Sequence, residues 1–165
     1  MACQTIRTPA EGIDSHSPAA RRLAGPGDLP ALFELDRMCF RRRAWSLRVW
    51  GEVVTLPEWT AVVVDGDDSL AGASVLLLAT PVSWLASLAV HPGWRRRGLG
   101  RALVRDAVAR ARGASSRWLS LEVDCSQRAA VTLYRREGFG VVRRFREDGR
   151  RRQEMVRRLG GVRGG

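Results

Sequence analysis

Ser87-Leu88-Ala89-Val90-His91-Pro92-Gly93-Trp94-Arg95-Arg96-Arg97-Gly98-Leu99-Gly100 reads as a strand that runs through a tight loop into the first turn of a long helix. Arg101 to Arg112 continue with helical period: Leu99, Ala102, Leu103, Ala107 and Ala111 share one side, while Arg101, Arg105 and Arg112 fall on the other. The first N–H groups of a helix have no intrahelical partners, and glycines at 98 and 100 carry no side chain to keep a ligand away from them. The positive end of the helix dipole adds its attraction, so a diphosphate fits this turn. Glycines at such a turn also serve as turn residues alone, so the cradle needs support from the surrounding chain. A Walker loop is excluded because no Gly-Lys-Ser/Thr follows, and the glycine spacing is not that of a dinucleotide-binding fold.

Two blocks supply that support. Arg95-x-x-Gly98-x-Gly100, preceded by Leu88-Ala89-Val90-His91-Pro92, resembles the acetyl-CoA loop of the GCN5-related N-acetyltransferases. Further on, Leu121-Glu122-Val123, then Gln127-Arg128-Ala129-Ala130, then Leu133-Tyr134-Arg135-Arg136-Glu137-Gly138-Phe139 resemble the second block of that family. Together they look most like the branch that acetylates bacterial ribosomal-protein alanine N-termini. The resemblance is strongest from Trp84 to Phe139 and implies an α/β GNAT fold: a mixed central β-sheet with splayed central strands, flanked by helices on both faces. It implies acetyl-CoA as co-substrate and no metal. Leu88, Ala89 and Val90 would then offer backbone groups to the pantetheine arm and the reacting oxygen. Arg95, Arg96, Arg97, Gly98, Leu99, Gly100 and Arg101 would surround the diphosphate. Gln127 stands where the family prefers asparagine, which lengthens the reach of an amide that would bind the CoA arm.

Composition bounds the rest. A chain of 165 residues with 45% hydrophobic content accommodates one well-buried domain. We place it at residues 20–159, after a polar, aperiodic extension at 1–19 and before a glycine-rich tail at 160–165. No apolar run reaches bilayer length and the N-terminus lacks a secretory pattern, so the expected location is cytoplasmic, without membrane contact. Cys3, Cys39 and Cys125 show no metal-ligand spacing and read as free thiols. The net charge is +11, yet all 28 basic residues are arginine and asparagine is absent as well. A GC-rich codon bias accounts for part of that excess. The charge still attracts polyanions, ribosomal RNA among them, but no motif for specific DNA binding accompanies it.

The chain reads β-α-α-β-β-β-α-β-α-β-β. Residues 20–24 form the first strand, Asp28 is a candidate N-cap for a helix from Leu29 to Cys39, and Ser46 caps a second helix through Val54. Arg41-Arg42-Arg43 between them reads as a solvated run, near the acceptor entrance of the resembled fold. Trp45 and Trp50 read as packing residues. Strands follow at 59–64, 70–78 and 82–90, with a hairpin turn at Asp65-Gly66-Asp67-Asp68. After the long helix Gly113 is the stop signal. The last elements are a strand at 117–123, a helix at 127–136 and a hairpin of strands at 139–146 and 151–158.

Moving an acetyl group from a thioester to an amine requires a neutral amine, donors for the oxyanion and an acid for the departing thiolate. Glu122 alternates with Leu121 and Val123, so it projects to the opposite sheet face, and the resemblance makes it the candidate base. Its plainer reading is a carboxylate pinned by backbone donors or arginine. Tyr134, the chain's single tyrosine, is the candidate acid by resemblance, against simple packing on a helix. Cys125 has no apparent histidine partner for a covalent route. The leading expectation is direct transfer to a protein or peptide N-terminal amine. The alternatives are a small-molecule acceptor such as an aminoglycoside or polyamine, and a non-catalytic module that binds CoA or docks on the ribosome.

Overall fold

The computed structural model describes residues 20–160; the expectations for 1–19, for 161–165 and for Cys3 lie outside the described residues. Its strands are β1 (Arg21–Leu23), β2 (Trp59–Asp65), β3 (Leu70–Leu77), β4 (Val82–Val90), β5 (Trp118–Asp124), β6 (Gly140–Glu147) and β7 (Arg150–Arg158). Its helices are α1 (Leu29–Phe40), α2 (Leu47–Thr55), α3 (Leu99–Gly113) and α4 (Arg128–Arg136). The strands form one sheet in the order β1-β2-β3-β4-β5-β7-β6, antiparallel except for the parallel pair β4–β5. This is the expected mixed sheet with helices on both faces.

Alternation along the strands divides the core between those faces. Leu32, Leu35, Trp50 and Val53 of α1 and α2 pack against Ala61, Val63, Ala73, Val75 and Ala89. On the other face Leu99, Leu103, Val104 and Ala107 of α3 meet Val62, Val64, Leu76, Leu119 and Leu121. Each fully buried leucine contributes about 1.5–3 kcal/mol relative to exposure. Gly72 lets α3 lie close to the sheet: a Cβ there would stand 3.1 Å from Leu103 Cδ1 and 3.1 Å from the Ala89 carbonyl oxygen.

The sheet opens at one place. β4 and β5 pair through Val82–Trp118, Ser83–Leu119, Trp84–Ser120 and Leu85–Leu121, and no further. At the same point Leu76 of β3 pairs with Leu85 and Val75 with Ser87, leaving Ala86 as an extra residue. Such a bulge bends and twists its strand. Beyond it β4 diverges from β5, which produces the splay that the resemblance implied.

Two local expectations are corrected. The Asp28 side chain makes no bond to the start of α1; it accepts from the Gly25 N–H at 2.9 Å and pairs with Arg22, which also holds Asp65. The tertiary ion pair outcompetes the cap. Gly113 is the last residue of α3 rather than its stop, and the left-handed residue that turns the chain is Ser115, at φ 60°. Ser46 does cap α2, accepting from the Val49 N–H at 3.3 Å.

Candidate active site

The turn at the start of α3 is built as the glycines suggested. Gly98 takes φ 80° and Arg96 φ 64°, so the loop reverses through two left-handed residues before the helix begins. A Cβ at Gly98 would meet nothing within 4 Å, which leaves backbone facing open space. Ala102 is bonded to the Gly98 carbonyl at 3.0 Å, so the N–H groups of Leu99, Gly100 and Arg101 precede the first intrahelical bond. These unpartnered N–H groups make the turn a candidate anion cradle, and Arg95, Arg96 and Arg101 line the cleft beside it. Arg95 turns inward, donating to the Val90 carbonyl at 3.2 Å. Arg97 stacks over Trp94, and its side chain is not part of the cleft wall. Arg101 and Arg105 grip Glu137 at 2.7 and 3.0 Å, tying α3 to the end of α4. Burial opposes the charge of Glu137, but hydrogen bonds from Arg105 and Arg101 outweigh it and hold the carboxyl below its ordinary range.

The gap between β4 and β5 joins the two sheet faces in one cleft of about 1620 Å³. It is walled by Leu85 to Val90, by the α3 turn, by Leu121 to Asp124, by Gln127 and much of α4, by Asp36, Arg43 and Trp45, and by the β6–β7 turn. His91 N–H bonds back to Ala71 of β3 at 2.9 Å. Alternation therefore turns the backbone of Ala89 toward β3 and those of Leu88 and Val90 toward the gap. The Val90 carbonyl is already engaged by Arg95 and by the Cys39 thiol.

Tyr134 and Glu122 reach this cleft from opposite faces. Tyr134, on α4, is 7% exposed, packs edge-on against Phe139 with ring centroids 5.9 Å apart, and lines the cleft. Burial pushes its phenol up to about 12. Glu122 lies on the other face, as the alternation required. Its carboxylate is 3.3 Å from Arg152 and 3.9 Å from Arg143, beside its cross-strand neighbour Glu154. The arginine-pinned arrangement is therefore present, within a residue that also lines the cleft. Gln127 caps nothing with its side chain and stands on the wall.

Three wall residues were given no site role from sequence. Asp36 is 2% exposed and accepts from the Trp45 N–H and from Trp50 Nε1, the latter at 3.1 Å. Burial raises its carboxyl above the usual range against those two bonds. Its signal was legible: a charge four residues after Leu32 and one after Leu35, inside the apolar stripe of α1. Asp124 ends β5, bonded to the Ser126 hydroxyl at 2.7 Å and the Ser126 N–H at 2.9 Å, which hold it below the usual range with help from Arg150 and Arg43. Arg152 joins Glu122 to Glu147. The Asp124–Ser126 contact is a local turn, whereas the pairings of Asp124 with Arg43 and of Arg152 with Glu122 have no local sequence sign. Burial pushes the Cys39 thiol up, and Cys125 is not on the wall of this cleft. Among the described residues no group of three or more histidine, cysteine or acidic side chains is placed to hold a metal ion, and no helix is long and apolar enough to cross a membrane.

A splayed parallel pair with a glycine-backed helix turn beside it is the arrangement that the resemblance to CoA-dependent acyltransferases implied. The model of the acetyltransferase (GNAT) family matches residues 29–139, and the chain belongs to that family of acetyl-CoA-dependent N-acetyltransferases. It is 30% identical over 118 residues to the ribosomal protein bS18-alanine N-acetyltransferase of Salmonella typhimurium, an overlap of 68% of this chain and 74% of that protein. Among solved structures, the ribosomal-protein-S18-alanine N-acetyltransferase from Escherichia coli superposes with a TM-score of 0.78 at 22% identity, covering 88% of this chain and 98% of that one. Arabidopsis thaliana NAA60 in complex with acetyl-CoA gives a TM-score of 0.75 at 20% identity, covering 88% and 99%.

Proposed function

We propose that a single domain at 20–159 transfers the acetyl group of acetyl-CoA directly to a protein or peptide N-terminal α-amine, in the cytoplasm. The observation that carries this reading is the opening past Leu85–Leu121, which brings the α3 turn, Tyr134 and Glu122 onto one cleft from two faces. Bound acetyl-CoA supplies the activated acyl carbon. The donor's diphosphate rests on the N–H groups at 99–101, and its arm runs along the freed edge of β4. Glu122 takes a proton from the incoming ammonium through water, since the carboxylate is held by Arg152 and Arg143. The N–H groups of Leu88 and Val90 face the gap and stabilise the oxygen as the N–C bond forms and the C–S bond breaks. Tyr134 stays protonated across the neutral range. Full transfer from a phenol near 12 to a thiolate of ordinary pKa is uphill by roughly three to four units. The hydroxyl therefore acts as a hydrogen-bond donor to the developing thiolate, which takes its proton from solvent on release.

The acceptor side favours an N-terminus over a polycation. Among the described residues Glu122, Asp124 and Glu147 each face an arginine, and of the cleft-wall carboxylates that face none, Asp36 is buried and Asp148 stands alone on the turn, so the mouth offers no uncompensated row of carboxylates to a polyamine or aminoglycoside. The similarity to bS18-alanine acetyltransferases points the same way and makes a ribosomal protein the leading acceptor, with the basic surface in contact with the ribosome. The test is a free-thiol release assay with acetyl-CoA and a panel of N-terminal peptides, lysine peptides, polyamines and aminoglycosides. Release with α-amine peptides is expected. Release with polyamines or aminoglycosides alone moves the chain to small-molecule chemistry, and release with none makes it a binding module.

A further inference from the structure

The two faces of the β6–β7 hairpin treat their arginines differently. On the cleft side each is matched: Arg143 with Glu154 at 3.2 Å, Arg152 with Glu147 and Glu122, and Arg150 with Asp124 at 3.5 Å. On the opposite face Arg144, Arg146 and Arg151 are exposed, and among the described residues none has a carboxylate within ion-pairing distance. Arg146 stands directly across from Arg151 in the ladder, and Arg144, two residues along, shares their face. Like charges directly opposite on an antiparallel pair destabilise it, so this arrangement costs the fold something that no ion pair among the described residues returns. The three line a shallow pocket of about 190 Å³ together with Cys125 and Phe145, separate from the main cleft apart from the shared Arg152.

We propose that Arg144, Arg146 and Arg151 form a docking site for the phosphodiester backbone of RNA. Guanidinium forks match phosphate oxygens in paired hydrogen bonds, and several on one strand face suit a repeating anion better than a single one. No asparagine is available and no aromatic ring is exposed on this face, so the contact is carried by guanidinium–phosphate pairs, which position without reading sequence. The turn that joins β6 to β7 carries Glu147 and Asp148 of the cleft wall. RNA held on the outer face therefore sets a neighbouring protein N-terminus beside the cleft mouth. The choice of RNA over another polyphosphate rests on the proposed function; the arginine face does not.

The test is fluorescence anisotropy of a labelled short single-stranded RNA, titrated with the intact protein between about 50 and 200 mM salt. The variant is Arg144→Ser/Arg146→Ser/Arg151→Ser, with Arg146→Ser alone as a milder companion. Three lost contacts should lower the log–log salt slope by about 2 and weaken binding at low salt by at least about tenfold. Thiol release with a short peptide should not change, and the melting temperature should hold or rise as like charges are removed. Unchanged RNA affinity and slope in the triple variant overturns the site. Equal or tighter wild-type binding to duplex DNA or to polyglutamate overturns the choice of RNA. Loss of peptide acetylation by the wild type, with RNA binding intact, sinks the proposed function and leaves the site standing.

Discussion

The proposed function gives the cleft a donor end and an acceptor end, and the two are built from different materials. At the proposed donor end a single contiguous stretch from Leu88 to Arg101 supplies strand edge, turn and helix N-terminus, and the groups left without intrahelical partners are the backbone N–H of Leu99, Gly100 and Arg101. At the acceptor end the groups are side chains brought from α1, the following turn, β5 and the β6–β7 hairpin: Asp36, Arg43, Glu122, Asp124, Glu147 and Arg152. Arg43 reaches Asp124 at 3.8 Å across more than half the fold's sequence. A backbone site tolerates side-chain change but not the loss of its glycine, whereas a side-chain site can be altered one pair at a time. That contrast suits a family that keeps one donor and varies its acceptors.

Gly98→Glu should break the donor end most severely. A carboxylate placed against a diphosphate costs several kcal/mol, which lowers acetyl-CoA affinity by about 10³-fold in calorimetry. The left-handed backbone at φ 80° adds about 1 kcal/mol of strain, which Gly98→Ala measures without the charge. If Gly98→Glu and Gly98→Ala bind acetyl-CoA equally well, the backbone cradle is not the diphosphate site.

At the acceptor end Asp36→Ala should cost about 2–4 kcal/mol in denaturant unfolding, because the Trp45 N–H and Trp50 Nε1–H lose their buried acceptor. Asp36→Asn keeps one acceptor oxygen and should recover most of the loss. Asp36→Ala should leave acetyl-CoA affinity unchanged, while the KM for an acceptor peptide rises as the α1–α2 segment loosens. A change confined to acetyl-CoA binding would erase the distinction between the two ends.

A smaller effect separates the ends by pH. The Glu137 carboxyl is depressed in the fold, so its stabilisation is present above its ordinary value of 4.5 and is lost as pH falls through the lower folded value. Asp36 is raised, so the folded state binds its proton more tightly and Asp36 opposes acid unfolding as pH falls through the folded value. Glu137→Gln should therefore cost about 1 kcal/mol near neutrality, discounted for its exposed arginine partners, and flatten the acid limb of the stability curve. An acid limb unchanged in Glu137→Gln would show that the Arg101–Glu137–Arg105 tie contributes nothing measurable.

The same contrast explains what was legible in the sequence. The bounds of β4 and the start of α3 follow from alternation, Pro92 and the two glycines, all local signals. The bulge at Ala86 and the end of β4–β5 pairing are not local: Ala86 is an ordinary strand residue, and both features are defined only by how β4 pairs with β3 and β5, strands distant in sequence from one another. The side-chain pairs of the acceptor end join residues far apart in the chain, so only folding reveals that Glu122 meets Arg152 and Arg143. Asp28 and Gly113 show the reverse error, local rules overruled by an ion pair with Arg22 and by the turn at Ser115.

The central claim is that Tyr134 and Glu122 act on one transfer from opposite faces of the sheet, and pH–rate profiles under chemistry-limited thiol release with an accepted peptide test it most directly. Tyr134→Phe should lower turnover about 10²- to 10³-fold, as loss of a positioned donor does, with acetyl-CoA affinity and melting temperature unchanged. Because burial holds the phenol near 12, that factor should be constant between about pH 6 and 9. The Glu122→Gln defect should instead shrink as pH rises through about 8, where an α-amine becomes neutral without help. Near wild-type turnover in Tyr134→Phe, or the same pH response in both variants, would contradict the account.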